Sequence, residues 1–298
     1  MTVALERYGL ASRRASLQVI RTYSTSFGLA SRLLGGRVRR DVVAVYALVR
    51  LADEVVDGAA SDAGLGVSGC RAVLDALEAE TLAAMGSGYS TNPIVQSFAE
   101  VACRVGIAPE LVVPFFASMR ADLDVRVHTA ESFRAYVYGS AEVVGLMCLR
   151  CFLADDAGRP AGPRTPAQAE QLEAGARALG AAFQKVNFLR DLGEDARTLG
   201  RRYFPGVDPE RLDGATRDAL VADVRRDLAT ARDAVPLLPS GSRAAVLATH
   251  ALFAELARRL ARTEPAAIVA SRVRVPDALK LALTARAVVE ARLTGGRS

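Results

Sequence analysis

The chain has 298 residues, of which 51% are hydrophobic and 24% are charged, so it can bury a sizeable core and does not have the composition of a disordered protein. Its 38 basic residues exceed its 33 acidic residues, which gives a formal net charge of +5. Bases and acids are interspersed and no nucleic-acid-binding motif is recognisable, so we expect no nucleic-acid partner. With four cysteines and two histidines, of which only Cys148 and Cys151 form a C-x-x-C pair, a zinc site would lack ligands.

Apolar residues recur every three or four positions along most of the chain, which is the period of an amphipathic helix, whereas alternating strand patterns are scarce. The sequence therefore predicts an all-α fold. The predicted helices, in chain order, span residues 11–21, 24–34, 38–58, 69–86, 93–105, 109–124, 131–154, 166–197, 214–234, 240–262 and 276–293. Gly, Pro and Ser mark the breaks between them, and the longest polar break runs from Asp155 to Pro166.

The N-terminus lacks the charged region, apolar stretch and cleavage site of a secretory signal, and no apolar run approaches the roughly 18 to 20 residues that cross a bilayer. The run from Val42 to Val49 ends at Arg50, and the stretch from Val143 is interrupted by Arg150. We therefore expect a cytoplasmic protein.

The predicted helix over 38–58 ends in an acidic motif. Asp53 and Asp57 are four positions apart, and Arg50 precedes them. That spacing returns both carboxylates to nearly the same helix face, roughly 6 Å apart along the axis. Like charges at this spacing destabilise an isolated helix, and a divalent cation between them would reverse the sign of that interaction. The pair is therefore a candidate metal site.

The predicted helix after the longest break carries a second pair, Asp191 and Asp195, with Arg190 directly before it and Gln184 and Asn187 upstream on the same general face. Sparse oxygen ligands on one face favour Mg²⁺, with Mn²⁺ as an alternative, because Mg²⁺ keeps several waters and bridges carboxylates to phosphates. Arginine donates planar, bidentate hydrogen bonds to phosphate oxygens. The two motifs together predict a clamp for a diphosphate.

Apolar residues fill the remainder of this second helix, so the charged groups would stand at the mouth of an apolar cavity. Such a site fits a ligand with a diphosphate head and a hydrocarbon tail. The two motifs lie on opposite sides of the longest break, and sharing one ligand requires both halves of the chain to face one cavity. This predicts a single domain over residues 1–298 rather than two domains.

Taken together, these motifs resemble the signatures of the squalene and phytoene synthase family, and they look most like those of bacterial phytoene synthases. The resemblance covers most of the chain, from about residue 20 to about residue 280. It rests on Arg50-x-x-Asp53-x-x-x-Asp57 after Tyr46, Gln184-x-x-Asn187-x-x-Arg190-Asp191-x-x-Glu194-Asp195, Tyr23-Ser24-Thr25-Ser26-Phe27, Met119-Arg120-Ala121-Asp122-Leu123, Tyr138-Gly139-Ser140-Ala141-Glu142-Val143-Val144-Gly145 and Arg202-Tyr203-Phe204-Pro205.

The resemblance implies an isoprenoid synthase fold, which is a helical bundle around a central apolar cavity, and a head-to-head prenyltransferase of carotenoid biosynthesis. Such an enzyme would condense two geranylgeranyl diphosphates through prephytoene diphosphate to phytoene, with Mg²⁺ and without NADPH. The residue roles that the resemblance implies are metal binding by Asp53, Asp57, Asn187, Asp191 and Asp195, diphosphate binding by Ser24, Ser26, Arg50, Arg190 and Arg272, cavity lining by Tyr46 and Gln184, and a catalytic role for Tyr138 beside the four aspartates.

Several alternatives stay open from the sequence. Farnesyl diphosphate as the substrate would give squalene or dehydrosqualene, and helix periodicity does not identify the residues that close the cavity. A non-catalytic lipid-binding or assembly protein would be expected to have lost metal ligands, yet all four aspartates are present. Ser24 and Ser26 would also suit helix caps. The final proton could pass to Tyr138 or to a released diphosphate oxygen.

Two positions depart from the family pattern, because Phe253 stands where many members have a tyrosine and Tyr23 replaces a common histidine. Each change removes or relocates one polar contact. Since the implied product is a lipid, peripheral contact with the inner face of the membrane is a further hypothesis, and the sequence pattern predicts no particular oligomeric state.

Overall fold

The computed structural model describes residues 3–24, 26–155, 158–159 and 162–295, and it confirms the predicted all-α fold. No β-strand occurs in these residues, and one isolated bridge pairs Val127 with Arg202. The helices are α1 (Val3–Tyr23), α2 (Ser26–Ser31), α3 (Gly36–Asp57), α4 (Ala59–Asp62), α5 (Val67–Ser87), α6 (Pro93–Val105), α7 (Pro109–Asp124), α8 (Ala130–Val137), α9 (Val143–Leu153), α10 (Pro166–Glu194), α11 (Gly214–Ala234), α12 (Ser240–Arg262), α13 (Pro265–Ala270) and α14 (Asp277–Gly295).

Two turns of π-helix interrupt the α-helical register, and both lie beside motifs that the sequence singles out. Tyr138–Glu142 joins α8 to α9, and Asp195–Leu199 continues α10 beyond the second acidic motif. Short 3₁₀ turns at Pro209–Arg211 and Val235–Leu237 flank α11. The predicted helix over 131–154 is therefore two α-helices joined by a π-turn, and the predicted helix over 166–197 is one α-helix followed by a π-turn.

The start of α10 is fixed by local sequence. Thr165 and Gln168 form a reciprocal capping box, in which the Thr165 hydroxyl accepts from the Gln168 amide at 3.2 Å and the Gln168 side chain accepts from the Thr165 amide at 3.0 Å. Pro166 occupies the first turn, where its missing N–H costs nothing. This start sets the register that carries Asp191 to the far end of the helix.

The helices enclose apolar clusters on either side of a central space. One cluster joins α3, α5, α6, α7 and α9 around Phe98, Phe115 and Phe116, and another joins α8, α10, α11 and α12 around Phe188 and Leu260. Close packing of α9 on α10 depends on glycine, because a Cβ atom at Gly145 would overlap the backbone carbonyl of Ala176. The helix that ends in the first acidic motif, α3, belongs to the first cluster, and the helix that carries the second motif, α10, belongs to the other.

One helical stretch of the described residues, 130–153, is long and apolar enough to cross a membrane, with a mean hydropathy of 1.3 in its most apolar window. The sequence predicts no run of this length, because Arg150 interrupts the apolar stretch. In the structure 56% of that window is buried inside the protein, and the stretch forms a wall of the central cavity. Its apolar character is that of a core helix.

Candidate active site

The two acidic motifs line the same cavity. This cavity has a volume of about 1060 Å³, at the upper end of the range for small-molecule sites, and α3 and α10 form opposing parts of its wall. Asp53 and Asp57 reach it from the last turn of α3, and Asp191 and Asp195 reach it from the end of α10. The structure therefore brings together the four aspartates that the sequence places on distant segments.

The carboxylates are close enough to perturb one another. Burial, followed by repulsion from Asp57, raises the pKa of Asp53 to about 8. Burial raises the pKa of Asp195 to about 7, with further contributions from Asp191 and from Asp57 on the opposite helix. Because Asp57 affects both of these groups, the two motifs share one electrostatic field, and that field favours a cation.

Arginines pair with the carboxylates at the mouth of the cavity. The guanidinium of Arg190 lies against Asp191, with Nε to Oδ1 at 2.9 Å, and Arg272 approaches the same carboxylate, also at 2.9 Å. Arg50 instead binds Glu54 one turn along α3 and lies over the ring of Tyr23, 4.5 Å from its centroid. The side chain of Glu54 therefore positions Arg50 through a salt bridge and does not point into solvent.

A buried cluster that the sequence analysis missed lies directly beneath the aspartates. Arg201 is 4% exposed and donates to Asp57 at 2.7 Å and to the Val56 carbonyl at 3.2 Å. Its Nη1 also lies 3.6 Å from Asp122, whose two carboxylate oxygens accept from the Tyr136 hydroxyl at 2.8 Å. Burial raises the pKa of Asp122 to about 7, while Arg201 opposes that shift.

The prediction for Tyr138 requires a correction. Tyr138 lies outside the wall of the cavity, and the guanidinium of Arg177 covers its ring at 5.4 Å, whereas Tyr136 lines the cavity. The cause is the π-turn at Tyr138–Glu142, because five-residue hydrogen bonding shifts the helix face by about one residue relative to an α-helix. The resemblance to the family, which implies the role of Tyr138, does not reveal such a shift.

The remaining candidate residues fall in or beside the same cavity. Ser24, Tyr46 and Gln184 line it, as does Asn187. The Ser24 hydroxyl also accepts from the Gly28 amide at 3.2 Å, so its helix-capping role and its position at the cavity coexist. The side chain of Ser26, which the sequence assigns to diphosphate binding, lies outside the described residues.

The deeper part of the cavity is apolar. Phe183 and Phe253 face each other there with ring centroids 4.2 Å apart, and Leu172, Leu179 and Leu256 extend the same surface. Phe253 is 5% exposed and has no hydroxyl, so it contributes to this apolar wall instead of a phosphate contact. The cavity consequently has a charged mouth and a hydrocarbon-like interior.

The residues at the mouth fit a divalent cation bound together with an anion. Within the described parts of the chain, no three carboxylate, thiol or imidazole groups converge on one point. An ion that takes one or two protein carboxylates and completes its shell with water and phosphate oxygens does not need such a trio. Two lining atoms, Arg50 Nε and Ser140 Oγ, are buried without a hydrogen-bond partner among the described residues, so donors remain available for a ligand.

Comparison with known proteins identifies the family. The sequence model of the squalene/phytoene synthase family matches residues 20–278. The chain belongs to this family. It is 31% identical to the phytoene synthase of Rhodobacter capsulatus over 83% of this chain and 72% of that enzyme. It is 32% identical to a 15-cis-phytoene synthase of Paracoccus over 64% of this chain, and the match spans only 59% of the Paracoccus enzyme.

Solved structures confirm the fold. A crystal structure of a dehydrosqualene synthase with bound ligand superimposes with a TM-score of 0.75, covering 96% of this chain and 98% of that one at 22% identity. A squalene synthase from Alicyclobacillus acidocaldarius gives a TM-score of 0.70 at 20% identity, covering 88% of this chain and 96% of that one. The predicted family and the isoprenoid synthase architecture are therefore confirmed. Members of the squalene/phytoene synthase family are prenyltransferases that condense prenyl diphosphates head to head and depend on divalent metal ions.

Proposed function

We propose that this chain is a phytoene synthase, which condenses two geranylgeranyl diphosphates through prephytoene diphosphate to phytoene and depends on Mg²⁺. The observation that carries the proposal is the convergence of Asp53, Asp57, Asp191 and Asp195 at the charged mouth of one apolar cavity. The relatives named as phytoene synthases support the choice of product. NADPH is not expected, because the proposed reaction ends in loss of a proton rather than in reduction.

The first demand of this reaction is a bound, departing diphosphate. Mg²⁺, held by the four aspartates and Asn187, would supply the positive charge that stabilises the departing diphosphate. Arg190 and Arg272 now neutralise Asp191, and their guanidinium groups lie where they could transfer to phosphate oxygens when the ligand enters. Arg50 has one buried donor without a partner and lines the same mouth. These residues bind and orient the diphosphate.

The second demand is the exclusion of water from allylic cations. The apolar interior around Phe183, Phe253 and Leu256 keeps the hydrocarbon chains apart from solvent. Tyr46 and Tyr136 present aromatic rings nearer the mouth, where a passing cation is attracted to a ring face. Because Tyr138 lies outside the cavity, we assign the final proton to a released diphosphate oxygen rather than to that hydroxyl.

An assay with purified protein tests the proposed reaction. Radiolabelled geranylgeranyl diphosphate with Mg²⁺ should give phytoene, and omission of Mg²⁺ or addition of a chelator should abolish its formation. NADPH should change neither the product nor the rate. A product formed from farnesyl diphosphate with at least equal efficiency would contradict the assignment of the substrate, and the absence of any hydrocarbon product from either substrate would contradict the reaction class.

We also propose a cytoplasmic location with peripheral contact to the inner membrane face. Leu281, Val289 and Leu293 are 59%, 56% and 70% exposed on α14, with Arg292 beside them, and Lys280 at the start of this helix lines the cavity. An apolar stripe with basic neighbours suits an anionic lipid surface. Flotation with phosphatidylglycerol vesicles should recover the protein, and Leu281→Glu with Leu293→Glu should reduce that recovery. Absence of recovery of the wild type would contradict membrane contact.

A further inference from the structure

A second pocket lies on the outside of the bundle, between α1, α3 and α6. It is a cleft of about 860 Å³ at the first turn of α3, with Gly35, Gly36 and Arg40 exposed at its rim. Asp53 is 17 positions after Gly36 on α3, which places the cleft roughly 25 Å along the helix axis from the first acidic motif. The cleft therefore cannot share a ligand with the mouth of the cavity.

The side chains lining this cleft give it a positive charge. Its four arginines, Arg13, Arg37, Arg40 and Arg104, exceed its two carboxylates, Asp41 and Glu100, by two charges. Asp41 is 3% exposed and holds both Arg37 and Arg104, while Glu100 accepts from Arg13 at 2.8 Å. Arg40 has no ion-pair partner in the described parts of the chain. The acids thus position three of the arginines without neutralising the cleft.

Two buried donors in the cleft have no partner. Ser97 is 1% exposed, and its hydroxyl makes no hydrogen bond to any described residue. The Nη2 atom of Arg104 donates a hydrogen bond to Asp41, but its Nη1 atom is buried and has no hydrogen-bond partner among the described residues. An unsatisfied buried polar atom destabilises a fold, so two of them beside one positively charged cleft point to a ligand that accepts hydrogen bonds.

The first turn of α3 adds backbone donors to the same place. No side chain caps this helix, and its opening residues are Gly35 and Gly36. A Cβ atom at Gly35 would meet nothing within 4 Å, and one at Gly36 would meet only Arg40, at 3.9 Å. The approach to the backbone N–H groups of the first turn is therefore open. The N-terminus of a helix of 22 residues carries a partial positive charge that favours an anion.

We propose that this cleft binds a phosphate group, either as a free phosphate or as the headgroup of an anionic lipid. The arginine guanidinium groups, the Ser97 hydroxyl and the first-turn amides of α3 together supply the donors that phosphate oxygens accept. The site is separate from the diphosphate clamp of the cavity. It does not depend on the proposed reaction, and its failure would leave the phytoene synthase assignment intact.

Calorimetric titration of the purified protein with inorganic phosphate, without divalent metal, tests the free form of the ligand. Ser97→Ala should weaken binding about tenfold, because it removes a hydrogen bond to a charged group. The same change should leave the thermal midpoint of the unliganded protein unchanged or higher, because it also removes an unsatisfied hydroxyl. Arg40→Gln should weaken binding roughly threefold, whereas Arg14→Gln, an exposed charge change outside the cleft, should not.

Sedimentation with phosphatidylglycerol vesicles tests the lipid form, with phosphatidylcholine vesicles as the uncharged reference. Headgroup binding in the cleft predicts that Ser97→Ala and Arg40→Gln each reduce retention on phosphatidylglycerol and that free phosphate competes with it. A loss of retention in Arg272→Gln would instead show that the vesicles bind at the central cavity, which Arg272 lines. Loss of retention in Leu281→Glu with Leu293→Glu identifies binding by α14. The proposal is overturned if neither phosphate nor vesicles bind, or if the binding that occurs is unaffected by both cleft variants.

Discussion

Replacement of Asp53 by asparagine is expected to lower turnover of geranylgeranyl diphosphate by a factor on the order of 10² to 10³, the effect typical of losing one group that stabilises transition-state charge. Asp53 lies half-buried on α3, where burial and the neighbouring Asp57 already raise its pKa to about 8. Asparagine keeps the shape of the side chain but removes the negative charge that would bind a cation. The same substitution relieves repulsion with Asp57, so the thermal midpoint of the metal-free protein should stay equal or rise.

Turnover with Mg²⁺ and thermal unfolding followed by circular dichroism would be measured on the same preparations. Asp191→Asn, on the opposite wall of the cavity, should cause a similar loss of turnover. Asp124→Asn is the matched control, because Asp124 is also at the end of a helix and pairs with Arg71, but it lies outside the cavity. Full activity of Asp53→Asn, or an equal loss in Asp124→Asn, would refute the role assigned to the acidic motifs.

Much of this architecture could be predicted because it is encoded locally. The period of apolar residues gives the helices, and a carboxylate pair four positions apart specifies a shared face without knowledge of any distant contact. The opposition of Asp57 and Asp195 across the cavity then follows from the requirement that both pairs serve one ligand. The extent of this single domain stays a prediction, although helices from both sides of the break at 155–166 line the same cavity.

The register of the helix over 130–153 could not be predicted, because a π-turn leaves little signal in composition. The resemblance to the family implies a catalytic role for Tyr138, whereas Tyr136 lines the cavity in the structure, which has a π-turn at Tyr138–Glu142. The turn packs closely against α7, because a Cβ atom at Gly139 would overlap the backbone carbonyl of Pro114. A contact between segments that are distant in the chain cannot be predicted from the local sequence pattern.

The partners of buried charges were equally hard to predict. In Met119-Arg120-Ala121-Asp122 the two charged side chains do not pair with each other, because Arg120 binds Glu78 at 2.7 Å on α5 and Asp122 turns toward Arg201 and Tyr136. Arg201 follows the second π-turn and reaches back to α3, 144 positions earlier in the chain. Adjacent arginines at 201 and 202 look equivalent in sequence, and only tertiary packing decides which one is buried.

Replacement of Arg201 by glutamine is expected to lower the free energy of unfolding by about 3 to 5 kcal/mol, the range for breaking a buried ion pair from one side. The guanidinium is 5% exposed and contacts the carboxylates of Asp57 and Asp122, and the variant leaves both beside each other without a counter-charge. Burial raises the pKa of Asp122 to about 7 even though Arg201 lowers it, so loss of Arg201 raises it further. A carboxyl group whose pKa is raised in the folded state makes that state less stable as the pH rises toward the raised pKa. Because the pKa of Asp122 is higher in the variant than in the wild type, the difference in unfolding free energy between the two should grow as the pH rises through about 7.

Urea unfolding at several pH values would measure this loss, with Arg202→Gln as the matched control. Arg202 is the next residue, its side chain is 45% exposed, and its only ion pair in the described structure is with Asp208 at 3.6 Å, so its loss should change stability by less than about 0.5 kcal/mol. Asp122→Asn in the Arg201→Gln background should recover part of the stability, because it removes one of the two unpaired carboxylates. A loss below about 1 kcal/mol in Arg201→Gln, or the absence of any recovery in the double variant, would contradict the ion-pair account and would mean that the two acidic motifs are held together by helix packing alone.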